Sequence, residues 1–377
     1  MNGVITMSCK ELNYYRHAMN VLEGKLSIVE FALLIKKSYR QAQRIISKIK
    51  AQNQFGAIHG NKGRAPKNKT NPALIEDIQS LYKSTYHDFN LIHFIEMLRD
   101  KEGVQIKYST LYRYSRKAGL IKHQKRRKNK KHSSRPRLPR EGMLIQFDGS
   151  EHRWFGDITC DLIAGIDDAT GKILSAEFFI GETSLHSMQV IKNIVVHFGV
   201  PEAFYMDEAA IFGKRDRDWN SQIARALETL GSKLILAGSA QAKGRVERLF
   251  KTLQDRLIAE LRLGEIKTIE EANNYLKNIF IPKFNEQFSV PAREKEQSYK
   301  ENLHPEIDNI LCRKITRKVT AGNTFSYEAN AYKINGPIDY RFRTVNINTH
   351  IDGTISFDIM NKKVSVDVIE KEFKMAG

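Results

Sequence analysis

The stretch from Lys122 to Arg140 constrains this chain more than any other. It holds ten Lys or Arg, two prolines and no acidic residue, so no single hydrophobic core can run through it. The charge on its two sides differs. Residues 1–140 carry 30 basic and 9 acidic residues, residues 141–265 carry 14 and 19, and the remainder carries 17 and 15. A strongly basic third beside an acidic middle is the pattern of a protein that holds a polyanion with one part and gathers carboxylates for chemistry in another. The 377 residues suffice for several domains. At 41% hydrophobic and 28% charged residues, the composition excludes a disordered chain. Apolar runs stay well short of the ~18 residues of a membrane span. Cys9, Cys160 and Cys312 are far apart, which excludes a disulfide scaffold and a Cys-rich zinc site. With no basic-then-apolar leader pattern, a cytoplasmic, nucleoid-associated protein with no membrane partner is expected.

Before the basic run the spacing is helical. Val29, Ala32, Leu33 and Ile35 form one apolar set, and Ala42, Ile45, Ile46 and Ile49 form another. Ser38 is placed to cap the second helix. Two short helices joined by a tight turn make a helix-turn-helix, whose second helix presents Arg40, Gln41, Gln43, Arg44 and Lys48 to base edges and phosphates. Residues 1–60 are assigned to this unit and 61–71 to a basic connector. Helices over about 72–83, 89–101 and 109–118 form a second such unit, 72–121, carrying Arg113, Arg116 and Lys117 on its last helix. Residues 122–140 read as a solvated linker with few packed contacts, in which Lys125, Arg126, Arg127 and Lys128 track phosphates.

After Gly142 strands and helices alternate. Strands are predicted at about 143–149, 160–167, 173–180, 203–206 and 232–237, and helices at 184–198, 219–230, 240–262 and 268–280. This is a mixed α/β core over 141–290. A Pro-, Glu- and Lys-rich linker follows over 291–309, then a small β-barrel or sandwich over 310–377. Three acids stand out by setting. Asp148 lies inside the strand "LIQFDGS", Asp207 ends the strand "EAFYM", and Glu247 opens the long helix in "AQAKGRVERLF". An acid within an apolar strand is costly unless paired or metal-bound, and three carboxylates offer the hard oxygen ligands that Mg²⁺ or Mn²⁺ prefers. Asp167 and Asp168, in "DDATGK", read as turn residues. Two of the three acids also have a structural reading: Asp207 as a turn cap, Glu247 as an i±4 partner of Lys243 or Lys251.

The phrases "LIQFDGSEHRWFGD", "LIAGIDDATGKI", "AQAKGRVERLFKTLQDRL" and "KTIEEANNYL" closely resemble the catalytic core shared by retroviral integrases and bacterial DDE transposases, in particular the ISNCY-type insertion-sequence transposases. The resemblance extends to the basic helical units before the core and the β domain after it. It implies an RNase H-like core in which Asp148, Asp207 and Glu247 hold two divalent ions, Mg²⁺ with Mn²⁺ as substitute. It further implies that Lys243 and Lys251, and more weakly Arg245, contact DNA near the scissile phosphate. The activity it implies is cleavage at the terminal inverted repeats of an element and joining to target DNA, by a homodimer or larger assembly on double-stranded DNA. Glu208 departs from the family pattern, where a basic residue commonly follows the second Asp. The alternatives are a metal-dependent nuclease without strand transfer and a transposase-derived DNA-binding regulator.

Overall fold

A computed structural model describes residues 6–64, 69–122, 135–207, 219–237, 244–301 and 305–369. The chain divides into two units, Met1–Asp77 and Ile78–Gly377. Three helices build the first: α1 (Cys9–Leu22), α2 (Ile28–Leu34) and α3 (Tyr39–Gln52). All three start with the same device, a serine three residues before a Glu or Gln: Ser8 with Glu11, Ser27 with Glu30, Ser38 with Gln41. Each pair satisfies two backbone N–H groups that the helix itself cannot. Ser38 caps α3 as its position predicts. The core is Ala18, Phe31, Ala32, Ala42, Ile46 and Ile49. Ala32 and Ile35 are buried as expected, but Val29 and Leu33 are 58% and 73% exposed, because Phe31 turns inward in their place. A short 3₁₀ turn, Asn53–Ala57, folds back on α3, and a side chain at Gly56 would meet the Lys48 carbonyl at 2.3 Å.

Helix α4 (Pro72–Ser84) spans the boundary; α5 (Leu91–Asp100) and α6 (Tyr108–Lys117) lie in the second unit. A five-stranded sheet follows: β1 (Ile145–Phe155), β2 (Ile158–Asp167), β3 (Ile173–Phe179), β4 (Ala203–Asp207) and β5 (Lys233–Ala237), in the order β3-β2-β1-β4-β5. The first three strands are antiparallel, while β4 runs parallel to β1 and β5 parallel to β4. The period of two sorts the side chains between two cores. Ile145, Phe147 and Ile163 pack with α7 (Ser184–Phe198) and α8 (Trp219–Leu230). Leu162, Ala164 and Phe178 pack with α9 (Gly244–Leu263), α10 (Ile269–Tyr275) and α11 (Ile281–Phe288), the last two joined by a π turn at Leu276–Phe280. Gly165 admits α7, since a side chain there would meet Ile194 Cδ1 at 2.6 Å.

The described parts of two segments expected to be linkers, 135–140 and 291–301 with 305–309, make packed contacts. Arg135, Arg137 and Leu138 bind the turn at Asp168, and Lys300 bridges to Val200 while Ile307 is buried. Charge and proline content hid these attachments, which rest on single arginine and apolar anchors. After α12 (Ile307–Ile310) come β6 (Arg313–Lys318), β7 (Thr324–Tyr327), β8 (Asn330–Ile334), β9 (Thr344–Thr349), β10 (Ile355–Ile359), β11 (Lys362–Lys363) and β12 (Val366–Ile369). They form two open sheets, β11-β10-β9-β6 and β12-β8-β7, around Val319, Phe325, Val345, Ile347 and Ile359. Among the described residues no ladder closes them into the expected barrel. At the corner between β6 and β7, the Val319 N–H donates to Arg343 and its carbonyl accepts from Phe342, so the backbone is spent on a loop rather than a ladder. No helix among the described residues is long and apolar enough to cross a membrane.

Candidate active site

Adjacent strands β1 and β4 carry two of the three singled-out acids. Strand β1 is in parallel register with β4 through Ile145–Phe204 and Gln146–Tyr205. The pairing ends there; continued for two more residues, that register would set Asp148 level with Asp207, the last residue of β4. Both are half-buried. Alternation puts Asp148 on the face of β1 that also carries Gln146 and Ser150. That face meets α9: Gln146 Oε1 accepts from the Val246 N–H at 3.2 Å, and Gln254 donates to Ser150 Oγ at 3.4 Å. Asp148 is thus bracketed by two contacts to the helix that carries Glu247. Glu247 lies in the first turn of α9 and is exposed. Asp148 and the first turn of α9, which carries Glu247, therefore lie along the same stretch of β1. Among the described residues, no three His, Cys, Asp or Glu side chains are drawn close enough to hold a metal ion.

Sequence reasoning left out a buried polar group where β1 begins and β2 ends. Asp167 and Asp168 are both fully buried. Asp167 accepts from the Gly142 N–H at 3.0 Å and from the backbone and hydroxyl of Thr170, each at 2.7 Å. Burial pushes its carboxyl above the usual range, and these donors counter the rise. Asp168 accepts from Gln146 at 2.7 Å, from Arg245 Nε at 2.8 Å, from the Leu138 N–H at 2.9 Å and from Arg135. Arg245, expected to contact DNA, is thus engaged inside the fold. Burial lowers its guanidinium pKa and Asp168 opposes that. The "DD" pair signalled only a turn, because the partners of Asp168 lie 22, 33 and 77 residues away.

Helix α9 is held on its other side as well. Arg256 makes a two-pronged bond to Glu96 of α5 at 2.6 and 3.1 Å, and Gln287 donates to Glu96 at 2.6 Å. His93 Nε2 and the Tyr275 hydroxyl meet Glu260 at 2.8 and 2.6 Å. Arg262 grips Asp88 through two contacts of 2.7 Å. Burial alone would raise Glu96 and Glu260, but their cationic and hydrogen-bonding partners outweigh it and hold both below the usual carboxylate range.

The other expected DNA-contacting residues fall into three groups. Arg40, Gln41, Gln43, Arg44 and Lys48 are exposed on α3, where Gln41, Arg44 and Lys48 line a groove of about 640 Å³ with Lys10 and Lys37. Arg113, Arg116 and Lys117 on α6 and Lys251 on α9 are exposed. Lys125, Arg126, Arg127, Lys128, Lys243 and Glu208 lie outside the described residues.

Basic helices thus precede a mixed sheet that carries Asp148 and Asp207 on its interior strands, with Glu247 on the helix packed against it. No family model matches the sequence. A Sinorhizobium fredii protein named as a transposase, y4bF, is 34% identical over 337 residues, covering 86% of this chain and 73% of that protein. The transposase for insertion sequence IS1202 of Streptococcus pneumoniae is 32% identical over 354 residues, covering 83% and 75%. The chain belongs to this family of insertion-sequence transposases. Among solved structures, the HTLV-2 integrase catalytic core domain in complex with magnesium is 16% identical with a TM-score of 0.29, covering 37% of this chain and 88% of that one. A simian T-cell lymphotropic virus intasome, in complex with a PP2A regulatory subunit, is 12% identical with a TM-score of 0.33, covering 69% and 95%. Both scores are too low for a fold assignment.

Proposed function

We propose that the protein is a DDE-type DNA transposase. On this reading it binds the terminal inverted repeats of its insertion sequence, cleaves there and joins the freed 3′-hydroxyl to target DNA. The observation that carries this is the parallel pairing of β1 with β4, a register that leads on towards Asp148 and Asp207, with the first turn of α9, which carries Glu247, tied to β1 through Gln146. The β3-β2-β1-β4-β5 order, with three antiparallel strands followed by two parallel ones, supports an RNase H-like core.

The donor set suits a hard divalent cation, being all carboxylate oxygen. Two acids side by side on neighbouring strands repel each other, a cost that such a cation relieves. Asp148, Asp207 and Glu247 would hold Mg²⁺, with Mn²⁺ as substitute, as a pair of ions. Such a pair, when bound, supplies activation of the attacking oxygen and stabilisation of the leaving oxygen in an in-line phosphoryl transfer. The chain's own part is to fix geometry. The sheet holds two acids rigidly and α9 presents the third. In hydrolysis, water attacks phosphorus and the strand breaks to leave a 3′-hydroxyl. In joining, that hydroxyl attacks a target phosphorus and displaces another 3′-oxygen, so no protein–DNA bond forms.

End recognition falls to α3, whose exposed Arg40, Gln41, Gln43, Arg44 and Lys48 suit major-groove readout in a helix-turn-helix. Arg113, Arg116, Lys117, Lys125, Arg126, Arg127, Lys128, Lys243 and Lys251 add phosphate contacts. Two ends joined to one target need two sites, hence a homodimer or larger synaptic assembly on DNA.

The test is an assay with purified protein, duplexes carrying the element's ends and a supercoiled target plasmid, in Mg²⁺ or in EDTA. The reading predicts new 3′-hydroxyl ends and joined products in Mg²⁺ only. Cleavage without joining would mean a nuclease, and specific binding without cleavage a regulator.

A further inference from the structure

We infer that Gln146 and Asp168 are positioning residues for Glu247. The inference rests on the triad reading above. Gln146 is 1% exposed, sits two residues before Asp148 on the same strand face, and reaches two ways. Its carbonyl takes the N–H of Val246, a first-turn donor that α9 cannot satisfy internally. Its amide donates to the Asp168 carboxylate, which is also gripped by Arg245 and Arg135. Arg245 donates further to the Arg135 carbonyl at 3.1 Å. The two residues immediately before Glu247 are therefore anchored, Val246 through its backbone and Arg245 through its side chain, while Glu247 itself faces outward.

Packing alone does not call for this group. The apolar stripe of α9, from Val246 through Leu249 and Phe250 to Leu261, already buries the helix against the sheet. Buried ion pairs are often no more stabilising than apolar replacements; their best-attested use is to fix register. Apolar ridges tolerate sliding and rotation, and a slip of one turn would carry Glu247 about 5.4 Å along the helix axis. Directional bonds at Val246 and Arg245 forbid that slip. Arg135 extends the same anchor to the last residues of the basic run.

The experiment uses the full-length protein with Gln146→Leu, Asp168→Asn and Arg245→Gln, the last at a partly exposed site that keeps the fold testable if the first two fail to fold. Two titrations are run against Mg²⁺: cleavage of end DNA, and the thermal shift of the protein alone. Loss of a group that orients a metal ligand typically costs about 10- to 100-fold in metal affinity or activity, so both Mg²⁺ midpoints are expected to rise within that range while end-DNA affinity stays as in wild type. The double variant Gln146→Glu with Asp168→Asn keeps the bond between the two side chains with donor and acceptor exchanged. It is expected to recover the midpoints relative to Gln146→Glu alone. Wild-type midpoints, with activity falling only as the folded fraction falls, would overturn the inference. Glu247→Gln runs in parallel. If it retains full cleavage and thermal shift, the triad reading itself is wrong; if it loses both while the Gln146 variants titrate as wild type, only the positioning role fails.

Discussion

Glu96 and Glu260 lie on opposite sides of the same contact, and both are held below the ordinary carboxylate range once their partners outweigh burial. A carboxyl whose pKa is lower folded than unfolded adds stability above the unfolded value, and that stability is lost as pH falls through the folded one. The urea midpoint should therefore stay level from neutral pH down to about 5 and drop steeply below about 4. In a Glu96→Gln, Glu260→Gln protein this acid limb should flatten; an unchanged limb would remove these residues as its source. At this scale the sequence was partly legible. Asp148 and Asp207 stood out because an acid in an apolar strand needs a reason. Gln146 and Asp168 did not, since a glutamine in a strand and an aspartate in a turn are ordinary until folding brings Val246 and Arg245 to them.

Helix α9 carries two jobs on two faces. One meets the sheet through Val246, Leu249, Leu253 and Leu257, and the other meets α5, α10 and α11 through Arg256 and Glu260. Period 3.6 exposed the first face in the sequence, and α7 and α8 fall where the spacing places them. It hid the second, because Arg256, Glu260 and Arg262 look like a solvated stripe. Removing one member of a buried pair leaves the other charge uncompensated, so Glu96→Ala should lower unfolding stability by about 3 kcal/mol. Denaturant titration checks this, and a loss under about 0.5 kcal/mol would class the pair as an ordinary surface bridge. Helix α2 shows the opposite failure: seven residues are too few for periodicity to tell Phe31 from Leu33.

For the whole molecule, these contacts redraw the boundaries that composition suggested. The basic run hinted at a cut near residue 121, yet α5 belongs with the core it grips. A protein starting at Lys69 should fold cooperatively without the three-helix unit. One starting after Lys122 should be markedly less stable, because Arg256, Glu260 and Arg262 lose their partners on α5 and the preceding loop. Equal melting temperatures for the two truncations would contradict this. Selective end binding should disappear from both, while the salt dependence of full-length binding should fall in two steps, since residues 1–68 carry 12 basic and 3 acidic residues and residues 69–140 carry 18 and 6. Persistent selection of the element's ends by the Lys69 protein would place recognition outside α3.

The central claim is that Asp148, Asp207 and Glu247 act together on DNA. It is tested most directly by strand transfer in Mg²⁺ with Asp148→Asn, Asp207→Asn and Glu247→Gln, each matched to wild type for end-DNA binding. The account predicts that all three bind as wild type does and that none yields joined product. Wild-type joining by any one of them would remove that residue from the site and contradict the account.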